Sequence, residues 1–338
     1  MSIFILSIVI KLLLLLLAGC WLTIAVSLIY RKKRTKHLAL IEAAFADITS
    51  QYLYPSPEEP FDLIAVQRTF RKLGIVPNKP GNVQYLVNLM IRTQRSLLGE
   101  NYHKIQELYK QIPPYRVSFN KLKSKKWHVK GRGIREIYEM DQQQYVKEVL
   151  REINNKNIYV RREAQIAMVV FLGWDSLRFL PYLKREMTLW QQIKVVEKLH
   201  DLYPVPKLKY LRKAYDSDKQ YATELIMRII RKFRIQEEVD FILRFLDSPK
   251  FDTRETALYC ISSFKLNEDQ INVVKQKFHN ISNIEQQVQL LKYIDRISLN
   301  VDLEFYRLLL YQSNDVIKLS TAEILWNREY KEDIEEFY

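Results

Sequence analysis

The chain of 338 residues carries 53 Lys and Arg against 39 Asp and Glu, which gives a net charge of +14. With 48% hydrophobic residues it is too apolar to be disordered, and seven glycines are too few for a glycine-rich nucleotide loop or a fold with many β-turns. Its two cysteines, Cys20 and Cys260, exclude a disulfide scaffold and a cysteine-ligated metal site. We therefore expect a large folded protein that is mainly helical.

An uncharged apolar segment lies near the start of the chain. Residues 12–30 read LLLLLLAGCWLTIAVSLIY, and a helix of this length roughly matches the ~30 Å hydrocarbon core of a bilayer. Five basic residues follow it at 31–36 and favour the cytoplasm for the C-terminal side. The sequence therefore predicts a single-pass protein of the bacterial inner membrane whose body is cytoplasmic.

The apolar segment also contains a short match to a bacterial lipobox. In Leu17-Ala18-Gly19-Cys20 the cysteine would become the lipid-carrying first residue of a lipoprotein. The ten residues after Cys20 stay apolar and lead into the basic cluster, which a lipoprotein would have to export. We therefore keep a lipoprotein anchored through Cys20 as the alternative topology.

Proline and glycine divide the chain that follows. Apolar spacing predicts a helix up to Tyr54, a proline-rich linker over 54–60, and helices over 63–73, 83–98 and 101–112. The predicted regions are 1–30 as transmembrane anchor, 31–60 as membrane-proximal helix and linker, 61–125 as N-terminal helical region, and 126–338 as repeat region.

One apolar pattern recurs through the later two thirds of the chain. A residue is followed by apolar residues at i+3, i+4 and i+7, which is one face of a helix. The first residues of the six copies are Ala164, Gln192, Ala222, Ala257, Gln287 and Ala322, 28 to 35 positions apart. This interval is typical of a helix–turn–helix repeat.

The segments VRREA at 160–164 and TRETA at 253–257, with the turn Asp247-Ser248-Pro249, give the repeats a family likeness. Over roughly residues 126–330 the chain resembles HEAT/armadillo-type α-solenoids, and as a whole it resembles a bacterial membrane-anchored HEAT-repeat domain protein. The resemblance implies an all-α solenoid of stacked helix pairs preceded by one transmembrane helix. It also implies that Arg161 and Arg254 tie neighbouring repeats together. The repeat signature comprises Arg161, Ala164, Ala222, Arg254, Ala257 and Ala322.

Sequence motifs for chemistry are missing. The five histidines are scattered without the His-x-x-x-His spacing of a helical zinc site, and no phosphate loop, dinucleotide fingerprint or nucleophile elbow occurs. We therefore expect a protein that is not an enzyme and that has no metal, cofactor or small-molecule substrate.

The stretch 121–135 is basic and contains no acidic residue. Basic groups around an aromatic side chain suit phosphates, anionic lipids or an acidic protein. We expect Trp127 to anchor a helix in the core, while the cations form either a solvated face or a contact with an anionic surface. The candidate residues are Lys121, Lys123, Lys125, Lys126, Trp127, Lys130, Arg132 and Arg135.

A membrane-tethered, non-enzymatic scaffold accounts for the span, the repeats and the missing motifs together. It would bind a protein partner through the solenoid surface, and the resemblance associates such proteins with bacterial envelope or polysaccharide systems. The alternative is a nucleic-acid-binding solenoid that uses the basic stretch 121–135. The mixed charge of the later repeats argues against nucleic acid.

Overall fold

The structure is a computed structural model that describes residues 2–55, 61–112, 114–215, 217–298, 301–312 and 314–335. All regular elements among these residues are helices, so the all-α prediction is confirmed. Contacts divide the chain into two compact units, Met1–Val149 and Leu150–Tyr338, called unit 1 and unit 2 below. The extent of the predicted repeat region, 126–338, stays a prediction.

Helix α1 (Ser2–Leu53) runs without a break through the apolar segment and the basic cluster that follows it. The side chains of residues 11–30 are exposed, and the helix is long and apolar enough to cross a bilayer. Ile41, Phe45 and Ile48, further along the same helix, are buried in the core of unit 1. The predicted linker continues through residues 56–60, which lie outside the described part of the chain.

Unit 1 adds a set of shorter helices to the end of α1. They are α2 (Leu63–Lys72), α3 (Pro80–Ser96), α4 (Glu100–Gln111), α5 (Pro114–Leu122) and α6 (Trp127–Glu139). Helices α2, α3 and α4 confirm the three helices predicted before Pro113. Helix α5 was not predicted, because the proline pair reads as a helix stop. Pro114 instead begins α5, where a missing N–H is harmless.

Helix α3 runs in the same direction as α1. Near its start, the side chains of Asn82 and His37 lie 3.1 Å apart. Further along, the Tyr85 hydroxyl donates to Glu42 at 3.3 Å. Beyond its end, Asn101 donates to the Tyr54 hydroxyl at 3.4 Å. The start of α3 therefore lies beside the part of α1 that is closest to the apolar segment.

Unit 2 contains long helices separated by shorter helical segments. Helix α7 (Val146–Leu150) spans the division between the units. The helices of unit 2 are α8 (Ile158–Leu172), α9 (Leu189–Leu202), α10 (Leu208–Lys213), α11 (Gln220–Phe233), α12 (Val239–Leu243), α13 (Phe251–Ile261), α14 (Glu268–Phe278), α15 (Ile284–Ile297), α16 (Leu303–Gln312), α17 (Asp315–Asn327) and α18 (Glu332–Glu335). A 3-10 segment, Gly173–Tyr182, lies between α8 and α9.

Six helices of unit 2 begin at nearly equal intervals. The first residues of α8, α9, α11, α13, α15 and α17 are separated by 31, 31, 31, 33 and 31 positions. Each of these helices packs against the next one in the series, and shorter helices such as α12, α14 and α16 pack beside them. The six are called the long-helix series below.

The recurring apolar pattern marks the core of unit 2. Ala164, Ala222 and Ala257 are fully buried, and Ala322 is partly buried. The apolar stripe that follows them is buried in the same way at Ala167, Val195, Leu225, Cys260, Leu290 and Leu325. Trp326 is the exception, since 55% of it is exposed and Lys331 lies 4.6 Å from its ring centre.

Candidate functional site

The two arginines of the repeat signature make the same backbone contact. Arg161 donates from Nη1 to the carbonyl of Asn155 at 2.9 Å, and Arg254 donates from Nη1 to the carbonyl of Ser248 at 2.7 Å. Each acceptor lies six positions earlier, in the turn before the helix. Arg254 also donates from Nε to Gln286 of α15 at 2.5 Å. Arg254 therefore holds the turn before α13 and joins α13 to α15, whereas the bond from Arg161 holds only the turn before α8.

Polar side chains connect successive members of the long-helix series. Gln191 of α9 donates to Gln165 of α8 at 3.4 Å. Arg228 of α11 donates to Gln192 of α9 at 3.0 Å and to Thr256 of α13 at 3.1 Å. Buried amides and guanidinium groups need such partners, so this ladder fixes how one helix is placed on the next.

The members of the long-helix series run in the same direction. Gln165 in the middle of α8 meets Gln191 near the start of α9, and the Tyr203 hydroxyl just after α9 donates to the carbonyl of Val170 near the end of α8. In α13 and α15 Arg254 meets Gln286 near the starts, and the Tyr293 hydroxyl donates to the carbonyl of Phe264 near the ends. The first turns of these helices therefore lie along one edge of unit 2.

Large apolar side chains are exposed along this edge. They occupy the first two positions of their helices, and Trp190 is the most exposed of them, at 70%. These residues, called the apolar row, are Ile158, Tyr159, Leu189, Trp190, Phe251, Ile284 and Val316. Helix α11 interrupts the row, because Tyr221 is buried and donates from its hydroxyl to the carbonyl of Leu183 at 2.7 Å. Large exposed apolar patches are typical of interaction sites, and the apolar row is a candidate for one.

The basic stretch 121–135 does not lie on one surface. Lys121 points inward, where its ammonium donates to Glu136 at 2.7 Å and to Gln84 at 2.6 Å. Glu136 is buried and also accepts from Ser118 at 2.5 Å. Burial lowers the pKa of Lys121, and the carboxylate of Glu136 partly offsets this. Lys121 is therefore part of the core of unit 1 and is removed from the predicted binding surface.

The remaining candidates of the stretch are mostly exposed. Lys123, Lys125, Lys126, Arg132 and Arg135 are exposed, whereas Lys130 is partly buried. The ammonium of Lys123 lies 4.1 Å from the ring centre of Phe119. The turn between α5 and α6 therefore exposes three lysines, and Arg132 and Arg135 are exposed further along α6.

Trp127 was expected in the core, and this expectation is wrong. It is the first residue of α6, 48% of it is exposed, and its ring lies edge-on to His128 at 5.5 Å. The core side of α6 begins further along, at Gly131 and Gly133. An exposed indole beside several lysines suits an interface that is apolar on one side and anionic on the other.

Gly133 is a structural residue that the sequence did not single out. A Cβ at this position would lie 2.6 Å from the backbone nitrogen of Leu122 and 2.8 Å from the carbonyl oxygen of Ser118. Only glycine therefore allows α5 and α6 to approach this closely. The approach brings Ser118 and Lys121 to Glu136.

Among the described residues, no group of three or more His, Cys, Asp or Glu side chains is placed to hold a metal ion. Cys260 is buried in α13, and burial raises the pKa of its thiol to about 12. The two exposed features, the apolar row and the basic turn between α5 and α6, are suited to binding. Comparisons with protein-family models and with curated proteins give no match for this chain.

Proposed function

We propose that the protein is a membrane-tethered, non-enzymatic scaffold that binds an extended protein segment along the apolar row of unit 2. The observation that carries the proposal is the row itself, which places exposed apolar side chains at the starts of parallel helices. Helix α1 would provide the membrane anchor. We place the scaffold in a bacterial envelope or polysaccharide system, as the resemblance to HEAT-repeat proteins implies.

The repeat regularity of unit 2 supports a HEAT-like solenoid as the form of this scaffold. The long-helix series begins at intervals of 31 to 33 residues. The hydrogen bonds that join its members connect residues 26 to 36 positions apart, as between Gln191 and Gln165 or Arg228 and Gln192. Such nearest-neighbour contacts at a fixed spacing are what stacked repeats make.

The geometry of the row suits an extended partner. Packed helices lie about 8–10 Å apart, and an extended chain advances about 3.3 Å per residue. A partner would therefore present an apolar residue roughly every third position to meet successive helices. At α11 the row is interrupted because Tyr221 is buried. The partner residue that faces α11 would therefore not need to be apolar.

Photo-cross-linking in cells tests the proposal. We would replace Trp190 or Phe251 of the row by a photoreactive phenylalanine analogue, with Val273 of α14, an exposed apolar residue outside the row, as the matched control. We expect the same protein to cross-link at positions 190 and 251 and not at 273. Equal labelling at all three positions, or no adduct at the row, would contradict the proposal. Nuclease-sensitive adducts would favour the nucleic-acid alternative.

The topology needs its own measurement. We propose that residues 12–30 cross the bacterial inner membrane and leave the body in the cytoplasm. In a chain whose two native cysteines are replaced, the variant Thr35→Cys should resist an impermeant thiol reagent in intact cells and react after lysis. Ready labelling in intact cells would reverse the orientation, and a lipid found on Cys20 by mass spectrometry would establish the lipoprotein alternative.

A further inference from the structure

Three basic segments meet at one end of unit 1. The first is the cluster at 31–36 on α1, which continues directly from the apolar segment. Asn82, near the start of α3, lies beside His37 of α1. His37 is seven positions after Tyr30, the last residue of the apolar segment, which corresponds to about 10 Å along α1. A Cβ at Gly81 would lie 3.8 Å from Arg34. The turn between α2 and α3, with exposed Lys72 and Lys79, is therefore close to the end of the apolar segment.

The turn between α5 and α6 lies at the same end. Glu136 of α6 accepts a hydrogen bond from Gln84 near the start of α3, at 2.8 Å. Three positions later, the carbonyl of Glu139 accepts from Gln94 near the end of α3, also at 2.8 Å. The chain directions of α6 and α3 therefore point towards the same end of unit 1. The first residue of α6, Trp127, lies nine positions before Glu136, which is about 13 Å along α6 on the side of the start of α3.

The charge at this end is of one sign. Residues 31–41, 63–99 and 108–135, which include all three segments, contain no Asp or Glu. The exposed cations of the turn between α5 and α6, Lys123, Lys125 and Lys126, lie within the four positions before the exposed indole of Trp127. Lysine beside tryptophan is the combination found at membrane interfaces, where the indole enters the head-group region and the ammonium groups meet phosphates.

We infer that this end of unit 1 rests on the anionic lipid head groups around α1, with Trp127 in the interface and the three lysines on lipid phosphates. The inference rests on the proposed membrane span, but not on the partner bound by unit 2. Each lysine near an anionic surface raises the equilibrium constant for binding to that surface by about fivefold, and the three together raise it by roughly 100-fold.

Spin labels on the full chain in nanodiscs containing phosphatidylglycerol and a nickel-chelating lipid test the inference. Single labels would be placed by Asn78→Cys in the α2–α3 turn, by His128→Cys beside Trp127, and by Leu98→Cys at the other end of α3. Native Cys20 would report the span. We expect nickel on the lipid head groups to relax the labels at 78 and 128, but not the label at 98. Phosphatidylcholine in place of phosphatidylglycerol should weaken the effect at 128.

A charge variant completes the experiment. The substitutions Lys123→Gln, Lys125→Gln and Lys126→Gln should reduce the nickel effect at 128, whereas the same change at the exposed residues Lys209, Lys232 and Lys250 of unit 2 should leave it unchanged. If Cys20 is shielded by lipid but the label at 128 is no closer to nickel than the label at 98, the inference is wrong and the span stands. A Cys20 label in water would overturn both.

Discussion

The two compact units are held together by hydrogen bonds that reach over different distances along the chain. In unit 1 the bonds that join α3 to α1 and to α6 connect Gln84 with Glu136, Asn82 with His37, and Arg95 with Glu139. These residues are 44 to 52 positions apart. In unit 2 the bonds between members of the long-helix series connect residues about one repeat apart. Unit 1 therefore depends on a core shared by α1, α2, α3 and α4, whereas each helix of unit 2 depends mainly on its neighbours.

This difference predicts how far the loss of stability caused by a substitution extends within each unit. A substitution in the core of unit 1 should loosen several of its helices together, because α3 is bonded to α1 through Asn82 and to α6 through Gln84. A substitution in unit 2 should be felt most by the helices next to it. Four measurements test this difference between the units.

The largest effect is expected from Lys121→Met in unit 1. It leaves the buried carboxylate of Glu136 without its cation, and such a loss costs about 3–5 kcal/mol. Denaturant unfolding of the detergent-solubilised chain, followed by circular dichroism, measures it. The double variant Lys121→Met with Glu136→Leu should recover most of the loss, and Lys125→Met at an exposed site should have little effect. A loss of stability no larger than that of Lys125→Met would show that the pair of Lys121 and Glu136 does not stabilise unit 1.

Ala257→Glu in α13 should destabilise unit 2 by about 3 kcal/mol, because it places an unpaired carboxyl group in a fully buried position. Hydrogen exchange should show lost protection in α13 and in its neighbours α11 and α15, with α8 least affected. The same substitution at Tyr259, an exposed residue of the same helix, is the control. Equal loss of protection throughout unit 2 would contradict nearest-neighbour stability.

The two signature arginines should differ in a measurable way. Arg254→Met removes bonds to Ser248 and Gln286 and should cost about 2 kcal/mol, as charged hydrogen bonds do. Arg161→Met should cost roughly half of that, because Nε of Arg161 has no hydrogen-bond partner. Thermal unfolding of the two variants compares them. A larger loss for Arg161 would show that the link from Arg254 to α15 contributes nothing.

The smallest effect is expected from Asp247→Asn, which should change how the stability of unit 2 depends on pH in the acid range. Burial alone would raise the pKa of Asp247, but hydrogen bonds from Lys277 and Asn280 outweigh it and hold this pKa below its usual range. The contact with Lys277 therefore stabilises unit 2 above the ordinary carboxyl pKa of about 4, and the stabilisation disappears as pH falls through the lowered pKa. We expect Asp247→Asn to flatten the pH dependence of the melting temperature below about pH 4. An unchanged slope would mean that the ion pair is screened by solvent.

The sequence was sufficient for the elements whose ends are marked locally. Proline and glycine mark the ends of α1 to α4, and the recurring apolar pattern identified the buried face of the long-helix series. The regular interval was hidden, however, because an amphipathic face repeats at every turn. The pattern begins at the third position of α11 (Ala222) but at the eighth of α17 (Ala322), so its separations range from 28 to 35 positions although the helices begin 31 to 33 positions apart.

The direction of each side chain in the basic stretch was not predictable. Lys121 and Lys125 stand in the same run of cations, and nothing local distinguishes them. Lys121 is partly buried because Gln84 and Glu136 bond to it from α3 and α6. Trp127 was placed in the core on hydrophobicity alone, although its position at the start of α6 exposes it.

The unbroken course of α1 has a mechanical consequence. Its 52 residues form a rod about 78 Å long, whose distal part lies in the core of unit 1 through Ile41 and Phe45. A helix that is too long or too short for its bilayer responds by tilting. Since no bend separates the apolar segment from that core, unit 1 would turn through the same angle. If α1 spans a membrane, a change in membrane thickness would thereby become a rotation of unit 1.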